Sequence, residues 1–571
     1  MAAHEPMTRR RFGLSLAAVM LIAIALRAVF PTADPPWRTT VGVVWHDEGA
    51  WVHNARNKAL FGQWRLDEWN PVFVAPVFTA LEYMSFAAFG VGVRQARLVC
   101  EAAGALSVLL LALGMRRTAG HTAGLIAGGL LATNYVYVMY DRAAIMEALM
   151  AALIVASWYC SARAEREPAW GAAAGVLATL AFFTKAAAAF YLGALGLVAV
   201  ARLVLPREGG TGGTEGQEQV RPRRAAMWTL AGLALSLAAV LIVFVLPHWS
   251  DYRFYNWQMS VTRKPSYDLK SVMDRVTWFP ILHDTFTRMW AVLCLAVAGA
   301  WGIALRWRRA PDAERLLLAW VAVGTLEMLV HDVGNERRFV FLIPAAVALA
   351  AMVLADGRVL PESAAATPRA WLLVAAPLVI YSAYVICGPI ARLPFLYEVR
   401  RPVRLAAAGA ILLTAALIVF WPRLRPRLTR HTVAPAVAIG FAALLMSGDL
   451  VQFAQWAVGR TDRNYQASLA LGRILPPGTM VQGKLANGLS LENRIRPIFI
   501  GHGFGNFADR FQREDVRYIL TYTAPEIGYE GSQIEDVLAA YPGWRVIMTF
   551  DVAETPGGHD TAALIEKRAR H

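Results

Sequence analysis

Long apolar segments recur along this 571-residue chain, and they constrain its fold more than any other feature. About thirteen of them approach the ~20 residues that a helix needs to cross the ~30 Å hydrocarbon layer of a membrane. Hydrophobic residues make up 57% of the chain and charged residues 17%, whereas soluble domains have about 45–50% and about 25%. The pattern predicts a polytopic α-helical membrane protein and excludes disorder, a coiled coil and a single soluble core. The predicted spans cover approximately residues 12–30, 97–114, 121–139, 143–162, 169–184, 187–205, 226–247, 287–305, 315–331, 339–355, 370–390, 404–421 and 432–449.

Basic residues set the expected orientation of these spans. The chain contains 56 Lys and Arg against 41 Asp and Glu, a net charge of +15. Arginines cluster in alternate links between spans, as on the cytoplasmic side of membrane proteins, although a link between residues 392 and 404 departs from this alternation. Three arginines precede the first span, which lacks a cleavage signal, so we predict a retained helix with a cytoplasmic N-terminus. No basic soluble domain is visible, and nucleic acid is therefore not expected as a partner.

Residues 71–92 are apolar but are left out of the predicted spans. They contain two prolines and a central Glu82, and counting them as a span would move every later arginine cluster to the exterior. We therefore predict an interfacial or re-entrant helix within a first exterior loop of residues 31–96. With this loop, residues 1–449 form the predicted transmembrane domain.

The C-terminal part of the chain has a different character. Residues 450–571 are more polar and contain four short runs typical of strands, together with two helical stretches. Strands alternating with helices predict a small soluble α/β domain on the exterior face. The strand-like runs are 480–481, 497–500, 516–521 and 544–550, and the helical stretches are 463–475 and 533–541.

An acidic pair, Asp47-Glu48, follows the first span in the sequence WHDEGAW. Carboxylates at a helix start complement the helix dipole, which explains the pair without any ligand. Asp47 could instead act as a general base at the membrane surface. Together with Glu147 it could also bind a divalent cation, although the sequence requires no cofactor.

Glu147 lies in an otherwise apolar run after the second exterior turn. An ionisable residue in such a run is costly, and it is a candidate functional residue for that reason. Asp141 and Arg142 precede it, and an ion pair between Arg142 and either carboxylate is the simpler explanation. All three residues are candidates for the site.

Cationic residues are expected at the same membrane face. Lys185 ends an apolar helix there and is either a phosphate ligand or an interfacial anchor. Arg337 and Arg338 precede a later helix, where two guanidinium groups suit a phosphate but could also pair with nearby carboxylates. His248 opens an aromatic-rich loop that either covers a lipid-linked substrate or lies among the lipid headgroups.

Carboxylates in the early loops and cations in the later ones suit the transfer of a group away from a phosphate. A carboxylate takes the proton of an acceptor hydroxyl, and Lys and Arg stabilise the departing phosphate, each effect being worth ~2–4 kcal/mol. A second hypothesis is a secondary transporter that uses intramembrane carboxylates, although such proteins usually contain internal repeats and none is visible. A third is a non-catalytic scaffold, in which Asp47→Asn would have no effect.

Four segments, in this order, resemble the GT-C glycosyltransferases that use polyprenyl-phosphate sugars. The most similar branches are the protein O-mannosyltransferase-like and the lipid A aminoarabinose-transferase-like enzymes. The segments are WHDEGAWVHNARNKALFGQW, RAAIMEAL, ATLAFFTKAA and ERRFVFLIPAAVAL. The order and spacing of these segments match the family over most of residues 10–355.

The resemblance implies a role for individual residues. Asp47 matches the first-loop acidic residue proposed as the catalytic base, and Glu48 is its usual acidic neighbour. Glu147 matches the acidic position of the second loop. Lys185 matches a lysine near the donor phosphate, and either arginine of the pair at 337–338 matches the late cationic position.

The resemblance also implies an activity and a location. It indicates an enzyme of the bacterial inner membrane that transfers a hexose or pentose, with inversion, from a polyprenyl-phosphate donor. The acceptor is a hydroxyl group of a glycolipid, a polysaccharide or a protein at the extracytoplasmic face. The sequence Phe73-Val74-Ala75-Pro76 stands where the aminoarabinose branch often has Lys-Pro-Pro, which argues against aminoarabinose as the sugar.

Overall fold

Helices make up most of the described structure. The computed structural model describes residues 8–36, 45–205, 215–259, 270, 282–331, 336–355, 434–501, 503–523, 534–553 and 560–568. Within them, five helices are long and apolar enough to cross a membrane, and a sixth span results if the bent pair Tyr135–Asp141 and Met146–Ala164 counts as one. The chain is therefore a polytopic helical membrane protein, as its sequence predicts. The five helices are Arg9–Ala28, Val93–Thr133, Ala186–Val204, Arg221–Val245 and Ile439–Ile474.

The total number of spans stays a prediction. Three further helices are apolar but shorter, namely Trp170–Thr184, Ala291–Leu305 and Phe339–Ala355. The predicted spans at 370–390 and 404–421 lie outside the described residues.

The helices are numbered here in chain order. The α-helices are α1 (Arg9–Ala28), α2 (His46–Trp51), α3 (His53–Phe61), α4 (Pro76–Phe89), α5 (Val93–Thr133), α6 (Tyr135–Asp141), α7 (Met146–Ala164), α8 (Trp170–Thr184), α9 (Ala189–Val204), α10 (Glu215–Val240), α11 (Trp249–Trp257), α12 (Leu282–Leu305), α13 (Asp312–His331), α14 (Ile343–Ala355), α15 (Ala434–Gly459), α16 (Arg463–Ile474), α17 (Lys484–Gly488) and α18 (Ile534–Ala539). Short 3-10 helices cover Pro71–Phe73, Ala186–Ala188, Glu336–Leu342 and Gly505–Phe507, and a π-helical turn covers Leu241–Val245.

The long helix α5 reverses direction at Gly120. The φ angle of Gly120 is 93°, a left-handed value that favours glycine. A Cβ on Gly124 would lie 2.6 Å from the carbonyl oxygen of Ala112, so the residues after the turn pack back on those before it. Helix α5 is thus a helical hairpin whose arms correspond to the separate spans predicted at 97–114 and 121–139.

Helix α4 occupies the apolar stretch that the sequence places in the first loop. Its 14 residues rise about 21 Å at ~1.5 Å per residue, which is too short to cross ~30 Å of hydrocarbon. It packs against α3 and α5. The length of α4 therefore agrees with leaving residues 71–92 out of the spans.

A buried ion pair joins α1 to α6. Arg27 donates from Nε to Oδ2 of Asp141 at 2.9 Å, and its Nη2 lies 2.7 Å from the same oxygen. Arg142 donates to carbonyl oxygens at the end of α1, a position where helix carbonyls lack partners within the helix. These contacts hold α1 against the turn that leads to α7. The three acceptors of Arg142 are Leu26, Arg27 and Phe30, at 2.7–2.9 Å.

Gly104 of α5 lies directly against this ion pair. A Cβ at that position would lie 2.2 Å from Oδ2 of Asp141 and 2.7 Å from Nε of Arg27. We expect Gly104→Ala to separate the pair and to cost about 3 kcal/mol, as breaking a buried ion pair does, measured as a lower melting temperature in detergent. Gly193→Ala is the matched control, because no other part of the described structure comes within 4 Å of its added Cβ, apart from its own helix. Equal melting temperatures for the two variants would contradict the prediction.

The C-terminal residues form a five-stranded mixed sheet in the order β2-β1-β3-β5-β4. Strand β1 is parallel to β2 and β3, whereas β5 is antiparallel to β3 and β4. The predicted α/β fold is confirmed, and four of the strands fall on the predicted runs. Strand β5 was not predicted. The strands are β1 (Met480–Gln482), β2 (Arg496–Ile498), β3 (Tyr518–Tyr522), β4 (Arg545–Val552) and β5 (Asp560–Glu566).

Candidate active site

Four charged side chains from distant parts of the chain meet in one buried cluster. Nη1 of Arg337 lies 2.6 Å from Oδ2 of Asp47, and Nε of Arg337 lies 3.5 Å from Oε1 of Glu147. Nζ of Lys185 donates to the same oxygen of Glu147. The structure thus brings together four of the residues that the sequence singles out, and we call Asp47, Glu147, Lys185 and Arg337 the charged cluster.

Each side chain of the charged cluster comes from a point where the chain begins or leaves a helix. Asp47 and Glu147 lie in the first turns of α2 and α7, where the helix dipole favours a carboxylate. Helix α7 follows a bend of 113° from α6, which turns its first residues toward the cluster. Lys185 follows α8 in an extended conformation. Arg337 lies in the 3-10 helix that precedes α14.

The 3-10 helix of Arg337 is anchored by its own apolar residues. Phe341 packs against Phe190 with ring centroids 4.4 Å apart. The carbonyl oxygen of Phe341 accepts a 3.0 Å hydrogen bond from Nε1 of Trp320. Both Phe341 and Trp320 are fully buried, so the backbone that carries Arg337 is held firmly.

The formal charges of the cluster cancel, because it contains two carboxylates and two cations. Burial disfavours the charged form of Arg337, but the attraction of Asp47 and Glu147 outweighs burial and raises the pKa of Arg337 above its usual range. The two carboxylates differ in access: the side chain of Asp47 is 11% exposed and that of Glu147 is 1% exposed. Asp47 is therefore the more exposed of the two carboxylates.

Glu48, a predicted catalytic residue, lies outside the charged cluster. Its two carboxylate oxygens accept from Nε and Nη2 of Arg97 at 2.8 and 2.7 Å. One of them also accepts a 2.9 Å hydrogen bond from the backbone N–H of Ala144. Since Ala144 lies shortly before α7, Glu48 ties the helix of Asp47 to the helix of Glu147, and both of its oxygens accept hydrogen bonds from the protein.

Arg97, which the sequence pattern did not single out, holds Glu48 in place. Its Nη1 donates to the carbonyl oxygens of Pro31 and Ala33 at 3.0 and 2.7 Å. Together with its bidentate bond to Glu48, these contacts hold both the start of the first loop and helix α2 against the start of α5. The sequence contains one indication of this role: Arg97 is an arginine at the start of an apolar helix, on the membrane side that is expected to carry few cations.

The other predicted candidates lie elsewhere in the fold. Asp141 pairs with Arg27, and Arg142 binds backbone carbonyls, so neither forms the ion pair with the other that the sequence suggested. His248 is exposed and packs against Phe73, with ring centroids 5.8 Å apart. The side chain of Arg338 lies outside the described residues.

The charged cluster does not fit a divalent cation as it is arranged. Asp47 and Glu147 both face the guanidinium of Arg337, so a metal ion between them would first have to displace it. Within the described part of the chain, no group of three or more His, Cys, Asp and Glu side chains could hold a metal ion. The arrangement is instead that of a site where cations are already supplied by the protein.

Glu82 is a buried carboxyl group away from the charged cluster. Neither of its side-chain oxygens has a hydrogen-bond partner among the described residues. Burial, together with the nearby charge of Glu48, raises the pKa of Glu82 well above its ordinary value. Among the described residues, Glu82 therefore forms no hydrogen bond with any side chain of the charged cluster.

Part of the chain matches a known protein family in sequence. Residues 73–207 match the model of the family described as dolichyl-phosphate-mannose-protein mannosyltransferase. This stretch includes Glu147 and Lys185 of the charged cluster. A comparison with curated protein sequences gives no match.

The whole chain has a fold that is already known from crystal structures. It is similar to ArnT from Cupriavidus metallidurans, both in the apo state and bound to undecaprenyl phosphate, with a TM-score of 0.56, 15% identity and coverage of 97% of both chains. It is also similar to the oligosaccharyltransferase AglB from Archaeoglobus fulgidus, in complex with an inhibitory peptide and a dolichol-phosphate, with a TM-score of 0.46, 12% identity and coverage of 90% of this chain and 69% of that one. The similarity to ArnT confirms the predicted fold.

Proposed function

We propose, from this GT-C fold and from the charged cluster, that the chain is an integral-membrane glycosyltransferase. It moves a sugar from a polyprenyl-phosphate donor to a hydroxyl acceptor at the face predicted to be extracytoplasmic. The observation that carries the proposal is that Asp47, which is partly accessible, lies 2.6 Å from a cation that can bind phosphate. A base and a phosphate ligand side by side are what this transfer needs.

The reaction is a single displacement at the anomeric carbon. The acceptor oxygen attacks that carbon while its proton passes to a carboxylate oxygen of Asp47. The bond between the anomeric carbon and the phosphate oxygen breaks, and polyprenyl phosphate leaves with the electron pair. Because the nucleophile enters opposite the leaving group, the anomeric configuration is inverted.

Asp47 is the base in this proposal for reasons of access and pairing. Glu48 has both oxygens engaged by Arg97, and Glu147 is buried between Lys185 and Arg337. General base catalysis by a positioned carboxylate contributes about 10²–10⁴-fold to a rate. The remaining carboxylate, Glu147, holds the two cations together in the absence of a phosphate.

Lys185 and Arg337 stabilise the phosphate as it leaves. A guanidinium presents two parallel donors to phosphate oxygens, and an ammonium acts as a compact charge. Each such group contributes ~2–4 kcal/mol when it is aimed at charge that develops in the transition state. With both cations supplied by side chains, the proposed reaction needs no metal ion.

The comparisons support a lipid-phosphate donor. ArnT has been solved with undecaprenyl phosphate bound, and the family that matches residues 73–207 is named after dolichyl-phosphate-mannose. A polyprenyl chain suits a site that is built at the ends of apolar helices. The acceptor is a hydroxyl compound, with a glycolipid, a polysaccharide and a protein as the classes to test.

The donor can be identified with the full-length protein in lipid nanodiscs and a panel of radiolabelled polyprenyl-phosphate sugars. We expect one donor to raise the melting temperature of the protein and to transfer its sugar to an acceptor extract. Sugar-free polyprenyl phosphate should compete with that donor for binding. Nucleotide sugars are the negative controls. Turnover with a nucleotide sugar, or the absence of binding to every lipid-linked donor, would contradict the proposal and favour a transporter or a scaffold.

A further inference from the structure

The residue two positions before Asp47 belongs to the core of the C-terminal domain. Trp45 is 3% exposed and packs in the same apolar cluster as residues of the sheet and its helices. The first loop therefore contributes a side chain to the α/β domain, just before the helix that carries the proposed base. The buried members that share this cluster with Trp45 include Leu471, Val481, Leu485, Leu489 and Leu520.

The backbone of helix α2 also touches the C-terminal domain directly. A Cβ on Gly49 would lie 1.9 Å from the carbonyl oxygen of Asn487. On the opposite side, a Cβ on Gly488 would lie 2.6 Å from the ring of Trp45 and 2.8 Å from Cβ of His46. Two glycines thus allow α2 and α17 to approach each other more closely than any other residue type would permit.

Two buried charged side chains fasten the first loop on either side of α2. Arg56 of α3 is fully buried and donates to carbonyl oxygens of the C-terminal domain at 2.9–3.0 Å. Asp34 accepts from the backbone N–H groups of Arg463 and Asn464 at 2.7 and 3.1 Å, which caps the start of α16. The acceptors of Arg56 are the carbonyl oxygens of Ser490, Asn493 and Ile495.

We propose that the C-terminal α/β domain positions the proposed catalytic base. Helix α17 and the turn that follows it hold α2 so that Asp47 stays within reach of Arg337 and of the acceptor. Gly49, Gly488 and Arg56 are positioning residues in this proposal, which rests on the proposed function of Asp47. The C-terminal domain then supports the active site through its contact with α2. Removing or displacing this domain would move Asp47.

The sharpest test is Gly49→Ala in the full-length protein. Alanine is a better helix former than glycine, so α2 itself is not weakened, but its Cβ must push α2 away from Asn487. A displacement of the order of 1 Å reduces turnover about 100-fold. We expect this loss in kcat, measured at a saturating donor concentration. The Kd of the donor should stay within twofold of the wild-type value, because Lys185 and Arg337 lie on other elements.

Two further variants make the test independent of a single substitution. Gly488→Ala presses on Trp45 and His46 from the other side of the same contact, and we expect the same division between kcat and donor Kd. Gly193→Ala is the control, since beyond its own helix its added Cβ meets no described residue within 4 Å, and it should match the wild-type protein in both quantities. A merely structural role would lower donor binding and the melting temperature in step with the rate.

The outcomes separate this inference from the function on which it rests. Wild-type kcat in both Gly49→Ala and Gly488→Ala, with Asp47→Asn inactive, would overturn the positioning role alone. A parallel loss of donor binding and turnover would overturn it as well, since the domain would then support the whole fold. Full activity of Asp47→Asn would overturn the proposed function itself.

Discussion

Asp47→Asn is expected to lower the rate of sugar transfer about 100-fold or more, the range over which a general base contributes. Asparagine keeps the size of aspartate and can still accept a hydrogen bond from Arg337, but it cannot take a proton from the acceptor hydroxyl. Donor binding should change little, because the proposed phosphate ligands are Lys185 and Arg337. The measurement is the initial rate of transfer in nanodiscs, with the donor Kd determined on the same preparation.

Asp251→Asn is the matched control for this variant. Asp251 forms an exposed ion pair with Arg65 of the first loop, and the distance between Nη1 of Arg65 and Oδ2 of Asp251 is 2.9 Å. Exposed ion pairs contribute about 0–1 kcal/mol to stability. It should therefore transfer sugar at the wild-type rate. If Asp47→Asn kept more than half of the wild-type rate, Asp47 could not be the base.

Arg337→Gln is expected to have the second large effect, on the donor phosphate. Loss of one preorganised cation from a buried site reduces the rate about 10²–10³-fold. It also leaves Asp47 without its 2.6 Å partner and Glu147 with Lys185 as its remaining cation. We expect a fall in kcat/KM for the donor and weaker inhibition by sugar-free polyprenyl phosphate, both measured at fixed ionic strength.

Arg65→Gln supplies the comparison for Arg337→Gln. The side chain of Arg65 is 49% exposed, so its removal changes the net charge by the same amount without touching the charged cluster. Inhibition by polyprenyl phosphate should then equal that of the wild-type protein. The same inhibition constant in Arg337→Gln would exclude Arg337 as a phosphate ligand.

The sequence was informative where a property is local. Apolar length predicted the spans of α1, α9 and both arms of α5, because each residue of a span makes its own contribution to transfer into hydrocarbon. An ionisable residue in an apolar run also marks itself, and Glu147 and Lys185 were found in that way. The cost of placing either of these two residues in a membrane is visible without knowing its partners.

The structure differed where the partner decides the role. Glu48 and Asp47 are neighbours in sequence, yet Glu48 pairs with Arg97 and Asp47 with Arg337. Nothing in the sequence near Asp141 indicates that Arg27 is its partner. Strand β5 shows the same limit, since its sequence DTAALIE contains good helix formers and becomes a strand by pairing with β3 and β4 on both sides.

The sequence by itself thus determined that the chain spans a membrane many times, that it ends in a small α/β domain, and which loops carry acidic and basic residues. These features follow from the transfer energies and the periodicity of neighbouring residues. The tertiary structure alone decided which carboxylate is accessible, which arginine each one binds, and that the C-terminal domain encloses Trp45 beside the proposed base. Those outcomes depend on contacts between residues tens to hundreds of positions apart, whose energies exist only once the helices have packed.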